Sequence, residues 1–91
     1  MESGIRRFRV NDADEMLEAK TARGIVWEMQ ARCFFDREKD EAEFCRLVLQ
    51  RGADYARRPA LERLRLRMIR RPSPELVIAK LVEWNLITEE G

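Results

Sequence analysis

Residues 63–69 alternate strictly, with Leu64, Leu66 and Met68 set against Arg63, Arg65 and Arg67. A period of two is the signature of a half-buried strand, because successive side chains point to opposite faces. The expectation is a strand with Leu64, Leu66 and Met68 in a core and a row of three arginines in water. A helix beginning at Pro59 also suits Leu61, Leu64 and Met68. It strands Leu66 on the arginine side, so the strand is preferred.

The alternating segment lies inside Arg57–Arg71, which holds seven arginines against one acid, Glu62, a local balance of 7 − 1 = +6. The whole chain carries 18 basic and 17 acidic residues, so the remainder stands at (18 − 7) − (17 − 1) = −5. A near-neutral chain has therefore gathered its positive charge in one place. Overall charge argues against a general nucleic-acid binder, while the local patch keeps a specific charged surface in play. Arginine outnumbers lysine 15 to 3. Base composition of the genome accounts for that ratio, and so does a preference for bidentate contacts to carboxylate or phosphate.

The other segments read as one α+β domain spanning residues 1–91. In IRRFRV, residues 5–10, Phe8 and Val10 share one face and Arg7 and Arg9 the other. The turn formers of NDADE follow, and then MLEAK, which alternates in the same way. A hairpin results, with Glu18 able to pair an arginine on its outer face. A helix over residues 11–20 is the competing reading.

Thr21 is an N-cap candidate for a helix over 22–35, with Ala22, Ile25, Val26, Met29 and Cys33 on its core face. Trp27, Ala31 and Phe34 form a second apolar stripe, so this helix either lies centrally with both stripes covered, which is preferred, or leaves one stripe for a partner. Gly24 marks a close backbone contact. Asp40 with Glu43 resembles a capping box and opens a helix over 41–57, burying Phe44, Leu47, Val48 and Tyr55, with Cys45 and Leu49 flanking that stripe. Ser73-Pro74-Glu75 supplies an N-cap, an N1 proline and an early acid for a last helix, which Asn85 ends in the left-handed region with Leu86 as its apolar contact. The expected order is β-β-α-α-β-α: an N-terminal β-hairpin, a third arginine-rich strand and three helices. Residues 86–88 add a short closing strand or an extended tail.

Catalytic residue types are scarce. The chain has no histidine, which removes the commonest general base and metal ligand. Its two thiols, Cys33 and Cys45, cannot form a tetrahedral zinc site unaided. Both read as reduced core cysteines of a cytoplasmic protein, the alternative being a disulfide between packed helices. The glycines at 4, 24, 52 and 91 make no phosphate-binding loop. No apolar run reaches the roughly 18 residues of a membrane span, and MESGIRRFRV lacks the features of a signal peptide. No enzyme activity, cofactor, metal or membrane association is expected.

What remains is binding. The candidate partner-binding residues are Arg63, Arg65, Arg67, Arg70, Arg71, Arg57 and Arg58, with Trp27 as an aromatic contact. The leading expectation is a small regulator or inhibitor that binds an acidic protein surface. The alternative is a DNA- or RNA-binding regulator using the same arginine strand, although no aromatic residue interleaves with the arginines for base stacking. A homodimer, with residues 12–18 or 36–43 of one copy facing the arginine row of the other, is also consistent with the charge pattern. Against all of these stands a solvated row that only keeps an edge strand from pairing.

A hairpin leading through Thr21 into ARGIVWEM, residues 22–29, resembles small proteins encoded by phages and other mobile elements. That resemblance covers about a third of the chain. It implies a compact accessory protein that binds a host macromolecule, for example an anti-CRISPR-like inhibitor of a defence system.

Overall fold

The computed structural model describes residues 4–33 and 37–90. Strands β1 (Arg6–Val10) and β2 (Glu15–Ala19) form the expected hairpin, followed by helices α1 (Ala22–Ala31), α2 (Glu41–Tyr55), α3 (Ala60–Arg67) and α4 (Pro74–Glu83) and a closing strand β3 (Ile87–Glu90). The strands make one antiparallel sheet in the order β2-β1-β3.

The sheet has a covered and an open face, as alternation in a half-buried strand requires. Phe8, Leu17 and Ile87 are buried beneath the helices. Arg6 closes this face at its rim, with its guanidinium 5.0 Å from the centre of the Phe8 ring and two hydrogen bonds to Glu89. On the open face Arg7 lies opposite Glu18 and donates to it at 3.0 Å, and Arg9 reaches Glu90 at 3.8 Å. The hairpin reading and its Arg–Glu18 pair therefore hold.

Three helix starts are capped by the residues expected of them. Thr21 accepts from the Gly24 amide, Asp40 from Glu43 and Ser73 from Leu76. Two helix ends turn through the left-handed region, at Arg57 (φ 54°) and Asn85 (φ 61°). In each the paired backbone bonds of a Schellman turn form: Arg58 N–H to Ala53 O with Arg57 N–H to Asp54 O, and Leu86 N–H to Leu81 O with Asn85 N–H to Val82 O. Asn11 ties the second of these turns to the hairpin, through its amide to Leu86 O and its side chain to Asn85 O and Thr88.

The core joins the covered sheet face to Ala22, Ile25 and Val26 of α1, to Phe44, Cys45, Leu49 and Ala53 of α2, and to Val77, Ile78 and Leu81 of α4 with Trp84 at its end. Helix α2 is rotated from the expected setting. Cys45 and Leu49 are fully buried while Tyr55 is exposed and Leu47 and Val48 are half-buried. Trp27 is 66% exposed and Ala31 is exposed, so α1 is covered on one side only. Phe34, the third member of its second stripe, lies outside the described residues.

The largest correction concerns residues 63–69. No strand forms there. They belong to α3 and the turn after it, so the order is β-β-α-α-α-α-β, with four helices among the described residues rather than the three expected. The physical reason is residue type. Between Ala60 and Met68 every residue is Ala, Leu, Glu, Arg or Met, all strong helix formers, and none is β-branched. Pro59 sets the start, Glu62 lies in the first turn, and Arg65 and Arg67 lie in the last, which suits the helix dipole. A strand would have had to overcome all of these preferences.

Gly24 is the close contact anticipated from the sequence. A Cβ at this position would stand 2.7 Å from the Ala19 Cβ on β2. Alanine gains about 1 kcal/mol of helix propensity over glycine, but neither methyl can rotate away. Gly24→Ala is expected to lower stability by a net of about 1–3 kcal/mol in denaturant unfolding. An unchanged or raised stability would contradict this close seating of α1 on β2.

Candidate functional site

Helix α3 contributes one well-buried residue to the core, Leu66, at 7% exposure. The other apolar residues of its sequence face out: Leu61 is 59% exposed, Leu64 54% and Met68 74%. They recur at i, i+3 and i+7 and so form one line along the helix. Helical periodicity sets Arg65 on one side of that line and Arg67 on the other. The expected separation, leucines inside and arginines outside, does not form: Leu64 and Met68 face outward together with Arg65 and Arg67. Of the three residues assigned to a buried row, only Leu66 is buried.

This orientation of α3 has a polar cause. Glu62 receives Arg58 at 2.8 and 3.1 Å on Oε1 and at 3.1 Å on Oε2, and Oε2 also accepts the Trp84 indole N–H at 3.0 Å. One carboxylate therefore joins the turn after α2, the first turn of α3 and the end of α4. Arg63 adds a bond of 2.7 Å to Asp54 of α2. With Glu62 and Arg63 held inward, Leu66 follows onto the core side, and Leu61, Leu64 and Met68 are turned out. The Arg58 guanidinium, with help from the Trp84 N–H, holds the Glu62 carboxyl below its ordinary pKa and is itself raised by the carboxylate.

The seven arginines of the stretch separate into groups. Arg58 and Arg63 are committed to these internal bonds. The side chains of Arg57, Arg65, Arg67, Arg70 and Arg71 make no ion pair among the described residues. Arg70 and Arg71 follow α3 and border a hollow with Asp40, Glu41, Glu43 and Arg46 at the start of α2. Arg57 occupies the turn after α2. Arg65 borders a groove between α3 and α4 with Leu61, Ile69, Lys80 and Glu83. Trp27 lies on α1, in a shallow depression with Gln30, Ala31 and Arg37, and no residue of α3 shares that depression. The structure therefore does not unite all eight predicted binding residues. It groups Arg65 and Arg67 with Leu61, Leu64 and Met68, of which Leu64 and Met68 were expected inside.

The thiols differ from one another. Neither forms a disulfide among the described residues, and Cys33 is half-buried while Cys45 is fully buried. Burial pushes the Cys45 thiol up to about 11, assisted by Glu41 and Glu75. It carries almost no thiolate at neutral pH and is a poor nucleophile. Among the described residues no group of three or more His, Cys, Asp and Glu side chains could hold a metal ion. None of the described helices is long and apolar enough to cross a membrane.

Comparison with protein-family models, curated proteins and solved structures finds no match for this chain.

The Glu62 clasp gives a signed pH dependence. Its folded-state pKa is lowered, so its contribution is present above the ordinary value of 4.5 and is lost as pH falls through the lowered value. The chain should be more stable than its Glu62→Gln variant at pH 7, and the gap should shrink below pH 4.5 as the carboxylate is protonated. Denaturant unfolding of both proteins at pH 7 and at about pH 3 measures this. A gap that does not change with pH would contradict the clasp.

Proposed function

We propose that this protein is a non-enzymatic regulator or inhibitor that acts by binding an acidic protein surface through the outward face of α3. The observation that carries the reading is the composition of that face: an apolar line of Leu61, Leu64 and Met68 with Arg65 and Arg67 beside it, neither in an ion pair among the described residues. A helix oriented only by solvation would turn its leucines inward. Apolar side chains with adjoining arginines are a frequent composition of protein interfaces.

Magnitudes indicate that both components are needed. The three side chains are already partly covered, so burying the rest contributes roughly 1 kcal/mol each. Association costs about 4–15 kcal/mol in lost freedom, which three such contributions do not offset. Charge-assisted bonds from Arg65 and Arg67 to carboxylates supply the further stabilisation and, more importantly, orientation and selectivity. The resemblance of the hairpin, Thr21 and residues 22–29 to small proteins encoded by phages and other mobile elements agrees with this kind of activity.

The nucleic-acid reading relied on a ribbon with arginines along one face. Those arginines lie on a helix, and its outermost line is apolar, which suits phosphate poorly.

Affinity capture from extract of the native host, with and without nuclease, tests the proposal. The wild-type chain is expected to retain a protein partner after nuclease treatment. Arg65→Glu/Arg67→Glu, at two exposed positions, should weaken that partner roughly tenfold or more while the unfolding midpoint stays near wild type. Capture that disappears with nuclease, or that the double variant leaves unchanged, would contradict it.

A further inference from the structure

The face of α3 also has a shape, and shape narrows the partner. We infer that the face and the adjoining α3–α4 groove seat an acidic amphipathic helix of the partner protein; this rests on the binding function proposed above. Leu61, Leu64 and Met68 follow the spacing by which one helix presents itself to another. Leu61 also borders the groove with Ile69, whose charged rim holds Arg65 together with Lys80 and Glu83, the last two paired at 3.7 Å. A line of apolar anchors laid into such a groove is the helix-in-groove mode of recognition. Arg65 and Arg67, on the two sides of the apolar line, select for glutamate or aspartate on either side of the incoming apolar stripe, as flanking charges do in paired helices.

Two other occupants fit less well. A second copy docking by this same face would set Arg65 and Arg67 against themselves across a two-fold axis, and like charges opposed at an interface are unfavourable. The acids that could instead receive a copy's arginines are in good part engaged already: Glu18 with Arg7, Glu41 with Arg23, and Glu15 and Glu28 with Arg32. A bilayer is flat, whereas this seat is grooved. Its apolar line covers only two helical turns, short for a helix that lies in a membrane interface.

The test is an NMR titration of the full-length, isotope-labelled chain with three probes. The first is a synthetic helical peptide with leucines at i, i+3, i+4 and i+7 flanked by glutamates. The second is a permuted peptide of the same composition that lacks the stripe. The third is vesicles of phosphatidylcholine and phosphatidylserine. The acidic amphipathic peptide should shift the resonances of Leu61, Leu64, Arg65 and Met68 and bind about tenfold more tightly than the permuted peptide. Leu64→Gln/Met68→Gln, which alters only exposed side chains, should abolish that advantage. Equal binding of the two peptides, no binding of either, preferential binding to vesicles, or dimerisation through α3 in sedimentation would each overturn the inference. The wider reading fails separately. If α3 takes an acidic surface that is not a helix, the captured partner stays sensitive to Arg65→Glu/Arg67→Glu although the peptide does not bind.

Discussion

The Glu62 carboxylate is the constraint on which the functional face depends. It is the single acid in a stretch of seven arginines, and it accepts bonds from Arg58 and from the Trp84 indole. Helix α3 is eight residues long, too short to be stable by itself in water, and it lends the core only Leu66 as a well-buried side chain. Its rotation about its own axis is therefore decided by few contacts. A polar clasp at Glu62 and the Arg63–Asp54 bond set that rotation, and the outward line of Leu61, Leu64 and Met68 follows.

The charge segregation takes a definite form in three dimensions. Part of it stays within the molecule: Arg58 and Arg63 hold α3 in place, and Arg70 and Arg71 stand beside the acids at the start of α2. Arg65 and Arg67 remain unpaired among the described residues, on either side of an apolar line. The open face of the sheet provides a contrast within the same molecule. There Arg7 and Arg9 are matched by Glu18 and Glu90, and no comparable excess of charge is left over.

Much of the fold was legible in the sequence because local chemistry and tertiary context agree over most of the chain. The hairpin, the three N-caps and the left-handed Asn85 each follow from a residue type with one strong preference. Residues 63–69 were misread because a period of two can also arise in a helix whose leucines have different fates. Leu66 is core and its neighbours two residues away are surface. The helical spacing of Leu61, Leu64 and Met68 was visible, but spacing does not say which way a face turns. The signal that bears on direction is Glu62, four residues after Arg58 and lone among bases. Its third partner, Trp84, is 22 residues away and is revealed only by the fold. The burial expected of Tyr55 and the covered setting preferred for Trp27 fail for a related reason, since periodicity assigns residues to a stripe without saying whether anything packs on it.

The central claim is that α3 is the contact surface and the open sheet face is not. A photo-crosslinking amino acid placed at Leu64 in one variant and at Arg7 in another, each expressed in the native host, compares the two surfaces under the same conditions. Both positions are exposed, so neither substitution disturbs the core. Covalent capture of a protein from position 64, and little or none from position 7, is the predicted result. Capture from position 7 alone would place the interface on the sheet and contradict the account.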